Sequence, residues 1–503
     1  MSGTTTDTII ELKEASFFHR QQLLFSKLNW TIRKDEQWAI TGPVSSGKTS
    51  LLNAIVGKYI LRNGQLTYPF LDKYRQSPDS YLPVHDFITV VSFGEDSTLI
   101  NYANFYYQQR FNAAQSEGII TAQAFLEKAL PEDAQTDQLM EVCRLLGIEA
   151  VLPLEFIKLS NGQTRKVRIA KALLANPLLL VLDNPFIGLD TATREDLNQI
   201  INHLIDSRKQ VILTTSFPEF PQKITHVLEL DNFCIKGIYL KEAYLKLNTE
   251  PSPLTAFEHE KASLLLPPTA EPDFTIAFRF TDVTVKYGEK TALQNINWKV
   301  SKGEKWALLG PNGSGKSTIL SLINADHPQA YANNIVLFDK VRGTGESIWD
   351  IKQRIGFVSP ELHLYFKQNI PCWEVVATGY FDTLYLNRKI TENQKDNIRK
   401  HFELFHLAHL FEQSFQNISS GQQRIVLLIR SLIKQPEVII WDEPYQALDT
   451  HYINLAARLL QRYCTASTTL VFVSHYSQEI PAFVNHRLIL DQGRVIRIEG
   501  NNR

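Results

Sequence analysis

The chain has 503 residues, of which 44% are hydrophobic and 21% charged, and its formal net charge is −1. That length calls for two or more domains, each able to bury its own core. The balanced charge excludes a general attraction for nucleic acid or anionic lipid and leaves only a local basic patch open. Four cysteines (Cys143, Cys234, Cys372 and Cys464) lie far apart without a CxxC pair. They read as small buried hydrophobes in a reducing compartment, not as a metal site or a disulfide framework.

In chain order, the opening Met1-Ser-Gly-Thr-Thr-Thr-Asp-Thr has no basic n-region and no apolar h-region. No apolar run approaches ~18 residues. The expectation is a cytoplasmic chain with no secretory signal and no transmembrane segment of its own. Leu28-Asn29-Trp30 and Trp38 then lead into Gly42-Pro-Val-Ser-Ser-Gly47-Lys48-Thr49. Such a glycine loop wraps backbone N–H groups round a nucleotide's phosphates, with Lys48 on the terminal phosphates and the Thr49 hydroxyl on Mg²⁺. A helical stretch follows at Gln135–Leu146, then Leu159-Ser160-Asn161-Gly162-Gln163. Next comes the buried-strand run Leu178–Leu182, closing in Asp183-Asn184-Pro185 and followed by Leu189-Asp190. From about Leu245 to Asp273 the pattern breaks. Pro251, Pro253, Pro267, Pro268 and Pro272, with an acidic excess, mark a linker over 246–273 between domains at 1–245 and 274–503.

The second domain repeats the first. Strand-like alternation in Thr281-Asp-Val-Thr-Val-Lys-Tyr287 and the strand Trp306-Ala-Leu-Leu enter a second loop, Gly310-Pro-Asn312-Gly313-Ser-Gly315-Lys316-Ser317. Its helix begins at Thr318, which places phosphate at a helix N-terminus. A helical stretch over Glu392–Leu407, Ile418-Ser419-Ser420-Gly421-Gln422, the strand Val438–Trp441, Asp442-Glu443-Pro444, Leu448-Asp449 and Phe472-Val-Ser-His475 complete the series. Trp30, Trp38 and Lys48 match Trp298, Trp306 and Lys316 at a constant offset of 268, while Ser160, Asp183 and Asp190 match Ser419, Asp442 and Asp449 at 259. Two ordered series in fixed register mean an internal duplication. Within it, Glu443 faces Asn184, and the offset of 259 sets His475 against Ser216.

The two glycine loops, the Leu-Ser-Asn-Gly-Gln and Ile-Ser-Ser-Gly-Gln segments, the apolar-Asp strands and the following Leu-Asp pairs resemble the ordered motif set of ABC ATPases. The stretch from Ala325-Asp-His-Pro-Gln-Ala-Tyr through Arg342-Gly-Thr-Gly-Glu-Ser-Ile-Trp-Asp-Ile-Lys-Gln resembles the two-cassette ModF-type subgroup, named for molybdate transport and also linked to photorepair. The resemblance implies an α/β fold of two tandem P-loop cassettes. Each has a mixed sheet core and a helical subdomain, and the two dock head to tail when ATP is bound. It further implies composite sites, each pairing one cassette's loop with the other's signature. Site two takes Gly310, Asn312, Gly313, Gly315, Lys316, Ser317, Thr318, Asp442, Glu443 and His475, with Ser160, Gly162 and Gln163 from the first cassette. Glu443 acts on the attacking water, His475 contacts the γ-phosphate, Ser317 and Asp442 hold Mg²⁺, and Tyr287 stacks on adenine. Site one takes Gly42, Gly47, Lys48, Thr49, Ser50 and Asp183, with Ser419, Gly421 and Gln422. There Asn184 can orient a water but cannot take its proton, and His19 stands at the adenine position. Site one is expected to bind ATP and hydrolyse it slowly or not at all.

Two features depart from a transport cassette. The glutamine that follows the strand at Ile355 in such cassettes is replaced by Pro360, with Phe93 as its counterpart; Glu361 and Glu95 stand nearby. The run Asn101-Tyr-Ala-Asn-Phe-Tyr-Tyr-Gln-Gln-Arg-Phe111 reads as a packing or protein surface, with base stacking as the alternative. The expected load is a separate protein partner. A membrane permease, which would hold the chain at the inner face of the membrane, and a soluble assembly both remain open. The ribosome, as for two-cassette ABC-F translation factors, is less favoured because the linker is short and proline-rich. DNA repair lacks zinc cysteines, coiled-coil heptads or a basic face.

Overall fold

A computed structural model describes residues 7–19, 21–74, 82–93, 120–130, 136–156, 159–215, 220–247, 271–288, 290–360, 362–366, 369–446 and 448–500. Ser216, Glu95, Glu361, the aromatic run 101–111 and most of the proline-rich segment lie outside these residues. The described residues form two compact units, one from residues up to 247 and one from 271 onward.

In the first unit, a central sheet runs in the order Ile88–Ser92, Leu179–Asp183, Gln210–Thr214, Trp38–Thr41, His226–Asp231, Cys234–Leu240. The first five strands are parallel and the last pairs antiparallel. The second unit repeats this order with Ile355–Val358, Val438–Asp442, Thr469–Val473, Lys305–Leu309, His486–Asp491 and Arg494–Gly500. Each unit adds a smaller antiparallel sheet, built round Thr8–His19 and Gln22–Arg33 in one and round Ile276–Tyr287 and Lys290–Ser301 in the other.

The central strands are apolar along their whole length because both faces are covered. Leu179 and Val181 pack with Leu51, Leu52, Trp30 and Trp38 beneath the antiparallel sheet. Leu180 and Leu182 point the other way, among Leu139, Ile201 and Leu204 on helices. Val438 and Ile440, then Ile439 and Trp441, divide in the same manner. A period of two thus sorts one strand between two cores. In both units a tryptophan stacks on a histidine at 4.8 Å and 26°, Trp38 on His226 and Trp306 on His486.

Two elements differ from the sequence expectation. The helix from Glu392 ends at Leu404 because His406 is left-handed, with φ 55°. A helix over Lys241–Leu247 enters the stretch assigned to the linker, with Tyr244 packed into the core.

His401, on the helix from Glu392, is fully buried, with Nδ1 2.8 Å from the Asn397 carbonyl and Nε2 2.7 Å from the Tyr463 hydroxyl. A carbonyl only accepts, so Nδ1 carries the proton and Nε2 accepts from Tyr463. Burial drives its pKa down to about 4. The ring is therefore neutral in the fold but binds a proton in the unfolded chain once pH falls below its ordinary range. Stability present above that range is lost as pH falls toward 4. Denaturant unfolding of the second unit should show a loss of about 2 kcal/mol between pH 7 and pH 5 from this ring. His401→Gln should flatten that dependence.

Candidate nucleotide sites

The parallel strands place their C-terminal ends together, where ligands bind in open α/β sheets. From Thr41 and Leu309 the chain turns into the glycine loops. Gly42 and Gly310 have φ 145° and 151°, and an added Cβ would lie 2.1 Å from the Leu230 carbonyl oxygen and 2.3 Å from that of Leu490. Only glycine fits so close to the neighbouring strand. The loops end in helices Lys48–Ile55 and Lys316–Ile323, whose N-caps Gly47 and Gly315 supply no side-chain cap. The first N–H groups of a helix lack partners within the helix, which is what draws an anion to such an end. Buried Lys48 donates to the carbonyls of Gly42 and Pro43 at 2.7 and 2.8 Å, and Lys316 to those of Gly310 and Pro311 at 2.7 and 2.9 Å.

Thr49 donates its hydroxyl to Asp183, 2.8 Å from Oδ2 and 3.1 Å from Oδ1. The Thr214 hydroxyl, 2.6 Å away, and Asn184 Nδ2, 3.1 Å away, also donate to Oδ1. Burial pushes the Asp183 carboxyl up from its ordinary pKa, against the hydrogen bonds from Thr214 and Thr49 that favour the ionised form. A hydroxyl beside a carboxylate suits Mg²⁺, which takes oxygen ligands and keeps waters and substrate phosphates in its shell. Among the described residues no cluster of three or more His, Cys, Asp or Glu could hold a metal. In the second unit Ser317 and buried Asp442 hold the same positions.

Asn184 and Glu443 both follow their strands in left-handed backbone, with φ 54° and 46°. A non-glycine residue held this way costs ~1–3 kcal/mol, and the surroundings must enforce it. Asn184 N–H donates to Thr214 Oγ1 at 2.8 Å, and Glu443 N–H to the Val473 carbonyl at 2.9 Å. A buried arginine braces each turn, Arg165 from the helix Asn161–Leu174 and Arg424 from the helix Ser420–Leu432. Arg165 donates to the carbonyls of Asn184, Pro185 and Ile187, and Arg424 to those of Ser359, Asp442, Glu443 and Pro444. Burial, with Arg168 nearby, brings Arg165 down to about 9, which leaves it charged at neutral pH. His475 Nδ1 lies 3.0 Å from Glu443 Oε1, near enough to pair when protonated, though not aligned as a hydrogen bond. Glu443 and His475 are thus brought together.

Ser160 and Ser419 cap helices Asn161–Leu174 and Ser420–Leu432, each accepting from the N–H of Gln163 or Gln422 at 3.3 Å. Those glutamines accept in turn from the serine N–H at 2.9 and 3.0 Å, so their side chains complete capping boxes. Gly162 packs on the following helix: an added Cβ would lie 2.5 Å from Thr193 Cγ2. Gly421 is buried within its own helix.

Tyr287 is half-buried, and its hydroxyl lies 2.7 Å from His327 Nε2. His327 Nδ1 accepts from the Gln329 N–H at 3.2 Å. In the neutral ring the proton is then on Nε2, which donates to the tyrosine. The first unit has the same pair in reverse: His19 and Tyr59 stand in register with Tyr287 and His327, their rings 5.0 Å apart. Strand pairing sets Ser92 opposite Asp183 and Val358 opposite Trp441, so Phe93 and Pro360 do occupy one position. Sequence reasoning passed over Arg165, Arg424, Thr214, Tyr59 and His327. The offset of 259 that joins Arg165 to Arg424 was the available signal.

A family model described as ABC transporter matches residues 25–187 and 293–446. An uncharacterized ABC transporter ATP-binding protein of Schizosaccharomyces pombe is 32% identical over 97% of this chain and 99% of its own length. The Escherichia coli ABC transporter ATP-binding protein ModF is 32% identical over 91% of this chain and 92% of its own. Among solved structures, an RNase-L inhibitor matches with TM-score 0.56 over 97% of this chain and 91% of that one. An archaeal ribosome recycling factor, aABCE1, matches at 0.57 over 99% and 91%. Both are 16% identical and show the shared fold alone.

The planar fork of Arg424 reaches four carbonyls round the Glu443 turn, which a lysine cannot do. Arg424→Lys should lower kcat for ATP about tenfold to a hundredfold with KM little changed, because it misplaces Glu443 without touching the phosphate loop. A wild-type kcat would contradict this positioning role.

Proposed function

The chain belongs to the ABC transporter family, and on that premise we propose that its two nucleotide sites are unequal, one hydrolysing ATP and the other chiefly holding it. It is an ATPase with two tandem cassettes. The observation that carries the inequality is the left-handed turn after each aspartate, which presents a carboxylate in one cassette and an amide in the other. Glu443 can accept the proton of the attacking water, and His475 beside it can reach the γ-phosphate. Lys316 and the loop N–H groups hold the phosphates. Mg²⁺ bound through Ser317 and Asp442 would neutralise phosphate charge. Asn184 accepts no proton, yet Lys48, Thr49 and Asp183 keep the binding chemistry. On the pairing the family implies, Ser160 and Gly162 serve the hydrolytic site and Ser419 and Gly421 the holding site.

Closure of the cassettes on ATP would then act on a separate protein. The name of the E. coli relative supports a transport permease of the molybdate kind. No helix among the described residues is long and apolar enough to cross a membrane. Pro360 and Phe93 stand where transport cassettes carry the glutamine that couples to a permease, which favours a soluble partner as the second reading.

Glu443→Gln should lower ATP turnover by ~10²–10⁴ and leave ATP bound. Asn184→Ala should change turnover only modestly. Persistent hydrolysis in the first variant, or full loss in the second, would overturn the assignment. With ATP, the Glu443→Gln protein should retain its partner from lysate, and mass spectrometry distinguishes a permease from a soluble assembly.

A further inference from the structure

The Tyr287 hydroxyl stands between two segments of the second cassette. His327 Nε2 lies 2.7 Å from it, and it also hydrogen-bonds to the Thr318 side chain. Thr318 sits in the first turn of the loop helix Lys316–Ile323. His327 follows the far end of that helix, where the Asp326 N–H donates to the Ser321 carbonyl at 2.9 Å. The hydroxyl thus closes a ring of contacts that runs along the phosphate helix and back through the imidazole.

His327 is set up to donate. Only 4% of it is exposed, Nδ1 accepts from the Gln329 N–H, and burial holds its pKa below the ordinary value. A neutral ring with Nδ1 accepting carries its proton on Nε2 and gives it to Tyr287, which leaves the tyrosine's own proton for Thr318. Gln329 fixes the strand beneath. Its Oε1 accepts from the Lys286 N–H at 3.2 Å, and its Nε2 donates to the Lys286 carbonyl at 2.7 Å. The tyrosine's backbone and its hydroxyl are therefore both held from the short turn Pro328–Ala332 and its cap, His327.

We propose that His327 is a positioning residue for ATP in the second cassette: it holds Tyr287 at a set distance from the glycine loop, so that base and triphosphate are bound together. The proposal rests on the reading of Tyr287 as the adenine platform. A ring freed from this bond would have to be ordered when the base arrives, and that ordering is subtracted from affinity. His327 acts through the tyrosine and not on the phosphates, so its effect should appear only with a ligand that carries a base.

The test uses the full chain carrying Lys48→Ala, so that the second cassette's loop is the one read. Calorimetry in Mg²⁺ compares a non-hydrolysable ATP analogue with inorganic tripolyphosphate. His327→Phe and Tyr287→Phe should each weaken the analogue about tenfold, the lower end of what stacking on one base supplies, and tripolyphosphate by less than about twofold. His327→Gln, whose amide N–H can still reach the tyrosine, should restore most of the loss. The two Phe variants combined should be no weaker than either alone, because they break one bond. Additive losses, equal losses with tripolyphosphate, or an unchanged affinity for the analogue would overturn the proposal. Tyr287→Phe keeps the buried histidine and reads the same bond if His327→Phe folds poorly. Tyr287→Ala tests the premise. No selective loss of the analogue there would overturn the adenine platform and this proposal with it, whereas a loss there without one in His327→Phe would overturn the positioning role alone.

Discussion

The link between the loop helix and the central strand is the contact on which each cassette depends. In the first unit it is explicit: Thr49, first turn of the helix, donates to Asp183 at the end of the strand at 2.8 Å. Burying the aspartate is costly unless hydrogen bonds or a metal offset it. The strand is apolar on both faces and cannot shift without exposing two cores, so the carboxylate is fixed relative to the glycine loop. Everything chemical follows from that fixed distance. The lysine, the helix N–H groups and the turn after the aspartate all converge on one place.

Duplication then let side chains diverge on a retained backbone. Gly42 and Gly310, Gly47 and Gly315, and Asn184 and Glu443 keep the same unusual φ values in both halves. Arg165 and Arg424 brace the same turn from equivalent helices. What changes is the chemistry carried on that frame. A threonine hydroxyl behind Asp183 becomes a valine, an amide stands for a carboxylate, and a His–Tyr pair becomes Tyr–His beside the loop. The frame is expensive to alter, because its glycines lie within van der Waals contact of neighbouring strands. The side chains above it are not so constrained.

The glycine loops, the apolar strands and the duplication were legible in the sequence because each follows from backbone geometry or a period of two. Glu443 and His475 were legible as separate residues, and the fold brings them within 3.0 Å. The arginine braces were not, since an arginine on a helix reads as a solvated charge until the buried carbonyls opposite it are known. Thr214 was passed over for a similar reason: in a strand it reads as a β-branched filler, and only the neighbouring strand reveals its hydroxyl as a donor to Asp183. Only the last turn of the helix at Lys241–Leu247 reaches past the start of the linker at 246, where the prolines that follow outweigh good helix formers in the sequence. The helix from Glu392 stops at Leu404, short of the Leu407 its composition allows, and nothing in that composition marks His406 as left-handed.

The proposed inequality of the two sites bears directly on what the working protein carries. The chain can be cycled in excess Mg²⁺ and ATP, stripped rapidly of free nucleotide, and its bound nucleotide counted by chromatography. The account predicts unhydrolysed ATP retained at close to one per chain beside a variable complement of ADP. Bound nucleotide that is all ADP would contradict it, because both sites would then be turning over.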